Sequence, residues 1–227
     1  MKAPMISLHS EYVSDIFNGR KNLELRTWIP KGYKGPVYIY CTKRTPLYFI
    51  KPLRRWSTNK AYKNKAGVSD WSGKVVAKFW FDDYDTYAIE KPKNTLITLL
   101  LKDGTLSMDI NTEINLETKS CLKIENIYKY AKPNPKCPDK QRWVYAWHIK
   151  QLEIFDKPKQ LGEFVLMNKH YKLTTFGGWN DEYSLPQYIP LKKPPQKMVW
   201  VIHLITSTWL EVQLEKDKEW KPRESIM

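Results

Sequence analysis

The stretch Phe17-Asn18-Gly19-Arg20-Lys21-Asn22-Leu23-Glu24-Leu25-Arg26 decides how this chain begins to fold. Just upstream, Val13, Ile16 and Phe17 fall at helical spacing, and Gly19 stands where a helix C-terminus favours a residue tolerant of positive φ. Downstream the pattern switches to strict alternation. Leu23 and Leu25 take one face of a strand, and Asn22, Glu24 and Arg26 take the other. A short helix, a glycine stop and a strand thus bring Lys21, Glu24 and Arg26 within reach of one small polar ligand. Read from charge pattern alone, the same face suits a solvated edge strand equally well.

Working outward, residues 3–8 read as a strand, 11–18 as a helix, and 22–27 and 36–41 as strands. The turn joining the last two holds Pro30, Gly32 and Gly35. Gly73 opens a strand reaching about Phe81, and residues 94–101 and 105–110 form a hairpin pattern around Lys102-Asp103-Gly104. A helical stretch follows from Asn115 to Tyr130. Residues 143–156 read as two strands or one bent strand, Pro158 to Phe164 as a short helix, and Lys197 to Leu204 as a closing strand. Many short strands with helices between them suit an α+β or β-barrel class.

A chain of 227 residues, 42% hydrophobic and 14% aromatic, can bury the core of one domain with an elaboration. The longest apolar run, Leu96 to Leu101, is far shorter than the ~20 residues of a membrane span. No signal-peptide pattern precedes the first strand, and Cys41, Cys121 and Cys137 are odd in number and scattered. The expectation is a cytoplasmic protein without a disulfide framework. His9, His148, His170 and His203 combine with the cysteines in no metal-ligand spacing. Phosphate-binding glycine loops and G-x-S-x-G elbows are also missing, so neither a metal nor a cofactor is implied.

The net charge of +14, from 38 Lys and Arg against 24 Asp and Glu, favours a polyanionic partner, nucleic acid first. Between Thr42 and Ser69 stand Lys43, Arg44, Lys51, Arg54, Arg55, Lys60, Lys63 and Lys65, with no acid among them. Tyr48, Phe49, Trp56 and Tyr62 interleave with these cations, a mixture suited to tracking phosphates and stacking bases. As a shape, a long loop or helix inserted after the 36–41 strand is expected.

The opening segment Pro4 to Leu8, then Glu11-Tyr12-Val13, then Gly19 to Arg26, resembles the start of an ASCH domain of the PUA-like superfamily. Three later segments resemble that family in the same order: Gly73 to Phe79, with Ala77 where a glycine is usual; Tyr145 to Phe164; and Pro194 to Val201. The last is similar to a closing strand of phage-type members. The resemblance covers residues 1–205 and implies a mixed β pseudo-barrel with flanking helices and a cleft at its mouth. Insertions at about 43–70 and 85–130, and a C-terminal extension at 206–227, would be additions to it.

The resemblance also implies two kinds of function. One is a nucleic-acid-binding module, RNA foremost, that holds a base or modified nucleoside in the cleft. Its pocket would use Lys21, Glu24 and Arg26, with Trp28, Tyr40, Trp147 and Trp179 as candidate aromatic walls. Lys43, Arg44, Lys51, Arg54, Arg55, Lys60 and Lys63 would contact phosphates. The alternative is an amidohydrolase acting on N4-acylcytidine-type nucleosides, or a nuclease, with Lys21 and Glu24 as catalytic groups. Lys21 matches that lysine, but Glu24 fills a threonine position and offers no hydroxyl nucleophile. A phage- or plasmid-borne regulatory protein, whose basic insert meets a protein partner, is a third reading.

Overall fold

Strand β1 (Lys2–Leu8) runs into helix α1 (Ser10–Phe17), and the chain returns through β2 (Leu23–Arg26) to β3 (Gly35–Cys41). β3 lies parallel to β1, with Met5 opposite Tyr38 and Ser7 opposite Tyr40. A parallel pair needs a crossover, and α1 supplies it. The computed structural model describes residues 2–90, 97–100, 106–107, 111–133, 141–168, 187–195 and 198–203.

Helix α1 ends as its sequence requires. Gly19 takes φ +74° and donates to the Ile16 carbonyl at 3.0 Å, while the Arg20 and Lys21 N–H groups return to Asp15 O at 2.8 and 3.1 Å. That left-handed residue caps the helix and turns the chain directly into β2.

The remaining described elements in chain order are β4 (Tyr48–Ile50), β5 (Arg55–Ser57), β6 (Val68–Asp70), β7 (Val75–Phe81), β8 (Tyr84–Glu90), β9 (Ile97–Leu100), β10 (Leu106–Ser107), α2 (Thr112–Ser120), α3 (Ile124–Tyr130), β11 (Lys132–Pro133), β12 (Gln141–His148), β13 (Lys150–Lys159), β14 (Phe164–Asn168), β15 (Gln187–Pro190) and β16 (Met198–His203). A seven-stranded sheet has the order β13-β7-β3-β1-β16-β14-β15. Its central strands are buried on both faces. Ile6, Ile39 and Phe79 pack with Val13 and Ile16 of α1, whereas Met5, Tyr40 and Val75 pack with Phe164 and Val201.

The second sheet has the order β10-β9-β8-β12-β11, and β2 joins it on β12, with Glu24 opposite Trp147 and Arg26 opposite Tyr145. Helices α2 and α3 cover it, Leu116, Ile124 and Ile127 packing with Leu23, Leu25, Val144 and Ala146. The architecture is therefore sheet-dominated α+β. The described ladders close no ring, so the α+β class expected from sequence holds without a closed barrel among the described residues. Two bent strands join the sheets: β7 continues into β8 past Asp82, and β12 into β13 past Ile149, so each passes from one sheet to the other.

Three other expectations change. The basic insert is not one long loop or helix but is built on a three-stranded sheet, β5-β4-β6, with two short 3-10 turns between the strands. Its rings explain this: Trp56 packs edge-on against Phe17 and Trp71, each within 4.8 Å, and Asn18 bonds both the N–H and the carbonyl of Trp56. The 115–130 helix is two helices, broken where Cys121 adopts φ +55°; the Glu117 carboxylate then accepts from Ile124 N at 2.6 Å and starts α3. Pro158 lies within β13, and only a single 3-10 turn, Leu161–Glu163, follows it. There the Gln160 and Glu163 side chains cap one turn and close it. The 102–104 hairpin tip, Trp179 and the 206–227 extension lie outside the described residues. No helix among the described residues is long and apolar enough to cross a membrane.

Candidate functional site

Strand β2 is buried on both faces, which decides the character of its polar side. Leu23 and Leu25 enter the core under α2 and α3, and Glu24 and Arg26 point the other way, toward β1 and α1. They are not a solvated edge. Glu24 Oε1 receives Arg26 Nη2 at 2.9 Å, and Oε2 lies 3.3 Å from Lys21 Nζ. Lys21 also donates to the carbonyls of Leu23 at 2.7 Å and Ser120 at 2.8 Å. Three partners account for the three protons of its ammonium.

These charges sit at the floor of a pocket of about 300 Å³. Ser7 and His9 from the end of β1, Tyr12 from α1, and Asn126 and Tyr130 from α3 contribute to its walls. The pocket thus opens at the carboxyl end of β1, where the chain turns into α1. With one carboxylate against two cations, the floor carries a formal surplus of one positive charge. Arg26 Nη2 reaches Ser7 O at a long 3.4 Å, and Arg26 Nε is buried with no partner. The guanidinium is therefore only partly satisfied.

Two tyrosines flank the charges. Lys21 Nζ lies 5.6 Å from the Tyr12 ring centroid. Burial raises the Tyr12 phenol, and the Glu24 carboxylate adds to the rise. Burial likewise raises Tyr130, with Arg26 opposing and Glu24 reinforcing. Both phenols keep their protons at neutral pH and remain hydrogen-bond donors.

The sequence-predicted residues divide sharply. Lys21, Glu24 and Arg26 converge in this pocket, but of the expected aromatic walls Trp28, Tyr40 and Trp147 do not line it. Trp147 is fully buried in the main core, edge-on to Trp28 at 4.8 Å and against Phe81. Tyr40 belongs to the core on the far face of the first sheet and touches a different cavity. Hydrophobic burial claims these rings, so Tyr12 and Tyr130 line the pocket instead. Tyr12 had a local signal, since it falls off the Val13–Ile16 face of α1; Tyr130 had none beyond closing a helical stretch. Lys43, Arg44, Lys51, Arg54, Arg55, Lys60 and Lys63 are all exposed on or beside the small third sheet. Their aromatic neighbours Phe49 and Trp56 are occupied in packing. Among the described residues no three His, Cys, Asp or Glu side chains cluster as a metal site requires.

No protein-family model matches the chain, and no curated protein matches it. Among solved structures, an ASCH protein of Zymomonas mobilis is similar at 14% identity over 93% of this chain and 94% of its own, with a TM-score of 0.41. A mutant of that protein is similar at 14% identity over 94% of this chain and 99% of its own, with a TM-score of 0.40.

Proposed function

We propose that the protein binds single-stranded nucleic acid, RNA foremost, and seats one base in the Tyr12–Tyr130 pocket. The observation that carries this reading is the buried Lys21–Glu24–Arg26 cluster, two cations on one carboxylate, open to a cleft between two protonated phenols. A volume of about 300 Å³ is at the lower end of the range for ligand clefts, suited to a base or nucleoside. Glu24 retains lone pairs to accept from an exocyclic amine, and the guanidinium donates to a ring acceptor or carbonyl. Tyr12 and Tyr130 offer rings for the base faces. The net charge of +14 adds a sequence-independent attraction for the backbone.

The pairing of the charged groups favours the binding reading over a hydrolase that uses Lys21 and Glu24. The Lys21 ammonium is saturated with acceptors, and the two cations beside Glu24 hold it as an ionised acceptor. The test is calorimetric titration with the four nucleosides and with single- and double-stranded RNA of equal length. Preference for single strands, and a loss of about 1–3 kcal/mol in Tyr130→Ala, are expected. Equal affinity for both forms with no effect of Tyr130→Ala or Tyr12→Ala defeats the base pocket, and turnover of N4-acetylcytidine would restore the hydrolase.

A further inference from the structure

A second cavity, of about 540 Å³, lies on the other side of the ridge that bounds the pocket. The ridge is the paired ends of β1 and β3. Ser7 and His9 face the pocket, and their neighbours Tyr40 and Thr42, one strand spacing of about 4.8 Å away, face the second cavity. Hydrogen bonds tie the ridge together: Thr42 N donates to Leu8 O at 2.9 Å, Thr42 Oγ1 meets His9 Nδ1 at 3.3 Å, and Ser7 Oγ donates to Pro195 O at 2.6 Å. The two depressions therefore adjoin across a fixed saddle.

The second cavity has its own chemistry. Its charged lining residues are Lys43 and Lys192, both exposed, and no carboxylate is among its lining residues. Lys43 is held in place. Gly73 has φ +75°, and a Cβ there would stand 2.5 Å from Lys43 Cε and 2.6 Å from Cγ. The lysine stem lies across the bare glycine, which fixes the path of a side chain that would otherwise sweep through solvent. A cavity lined by a restrained ammonium, a second lysine and no acid suits an anion with several oxygens, and the nearby Glu163 carboxylate is turned to the Gln160 N–H. It contains no charged pair of the Glu24–Arg26 kind that would read a base edge.

We infer that this cavity is the phosphate track for the nucleotide adjoining the one seated in the Tyr12–Tyr130 pocket, so that an RNA strand crosses the saddle at Ser7, His9 and Thr42. The inference rests on the reading of that pocket as a base site. It assigns Lys43 and Lys192 a shared role, although 149 positions separate them in the chain.

The test uses the full chain and fluorescently labelled RNA dodecamers of each base, with anisotropy followed over a range of KCl. Lys43→Ala/Lys192→Ala is compared with Lys31→Ala/Lys34→Ala, which removes two exposed lysines from another face. Two lost phosphate contacts should lower the slope of log affinity against log salt by about 1.4. The ratio of dodecamer to nucleoside affinity should fall with it, and Lys43→Arg/Lys192→Arg should recover most of both. A slope change no greater than that of the control pair overturns the track. Nucleoside titration of the unaltered protein reports on the base pocket separately. If no nucleoside binds, the base reading fails by itself, and the slope comparison still decides whether phosphates follow Lys43 and Lys192.

Discussion

Glu24 and Arg26, two positions apart on one strand, hold an ion pair of 2.9 Å with side chains only 6% and 9% exposed. Alternation places both on the face opposite Leu23 and Leu25, and α1 with β1 then covers that face. Most proteins would fill such a position with apolar groups, because removing ions from water costs several kcal/mol each and hydrophobic replacements are often at least as stable. A surplus cation and an unpartnered guanidinium N–H make the cluster poorer still as a fold stabiliser. Its position at a pocket floor accounts for it as binding chemistry.

Glu24→Gln should therefore destabilise the protein strongly. The change leaves Lys21 and Arg26 buried without their counter-charge, at a cost of about 3–5 kcal/mol. Lys21→Met should cost less, because Glu24 keeps Arg26, although the Leu23 and Ser120 carbonyls lose a donor. Urea denaturation of both variants checks the order. A Glu24→Gln protein as stable as the parent would show that the cluster is hydrated in solution.

Trp147 and Tyr130 should separate stability from binding. Trp147→Phe opens space in a fully buried position against Trp28 and Phe81, so its Tm should drop, by the order of 1–3 kcal/mol of stability. RNA affinity of the folded fraction should hold. Tyr130→Ala should do the reverse, lowering affinity while the Tm stays close to the parent, since the ring is 44% exposed. The opposite pairing of effects would return Trp147 to the site.

The Gly19 stop and the β2 alternation were legible because both are local: a left-handed cap and a period of two need only neighbouring residues. They placed Lys21, Glu24 and Arg26 correctly with respect to each other. Which rings would face them was not local. Trp28, Tyr40 and Trp147 are pulled into cores by partners more than 20 residues distant, such as Phe81 and Phe164. The shape of the insert was not local either. Phe49, Trp56 and Trp71 bury themselves against α1 and fold the segment around a small sheet, while its cations stay exposed. Strand bending at Asp82 and Ile149, which carries β7 and β12 from one sheet to the other, has no signature in either residue.

His203 carries a pH dependence of stability. Its ring stacks on Phe164 at 4.8 Å, and burial, followed by the nearby Lys159, pulls its pKa below the usual 6.5; Glu163, 3.9 Å away, opposes and Lys78 adds slightly to the fall. With the folded value depressed, the unfolded chain binds the proton more readily, so the contribution is complete above about pH 6.5 and is lost as pH falls through the folded value. Melting temperatures measured from neutral to mildly acidic pH should decline in that window. His203→Gln should flatten that part of the curve, and an unaltered decline would assign it to other groups.

Neutralising Lys51, Arg54 and Arg55 together tests whether the third sheet touches nucleic acid. All three are exposed, and the rings beside them are spent on packing, so the sheet can offer charge but little stacking. Binding through such a surface is read by phosphates alone. The triple alanine variant should weaken every RNA sequence to a similar degree and flatten the salt dependence by about 2, from roughly 0.7 per lost single-strand contact. Selectivity between bases, which belongs to the Tyr12–Tyr130 pocket, should not change. A salt slope equal to that of the parent would remove the insert from the RNA path and leave it as a scaffold that holds α1, and a loss confined to one homopolymer would mean that it reads bases after all.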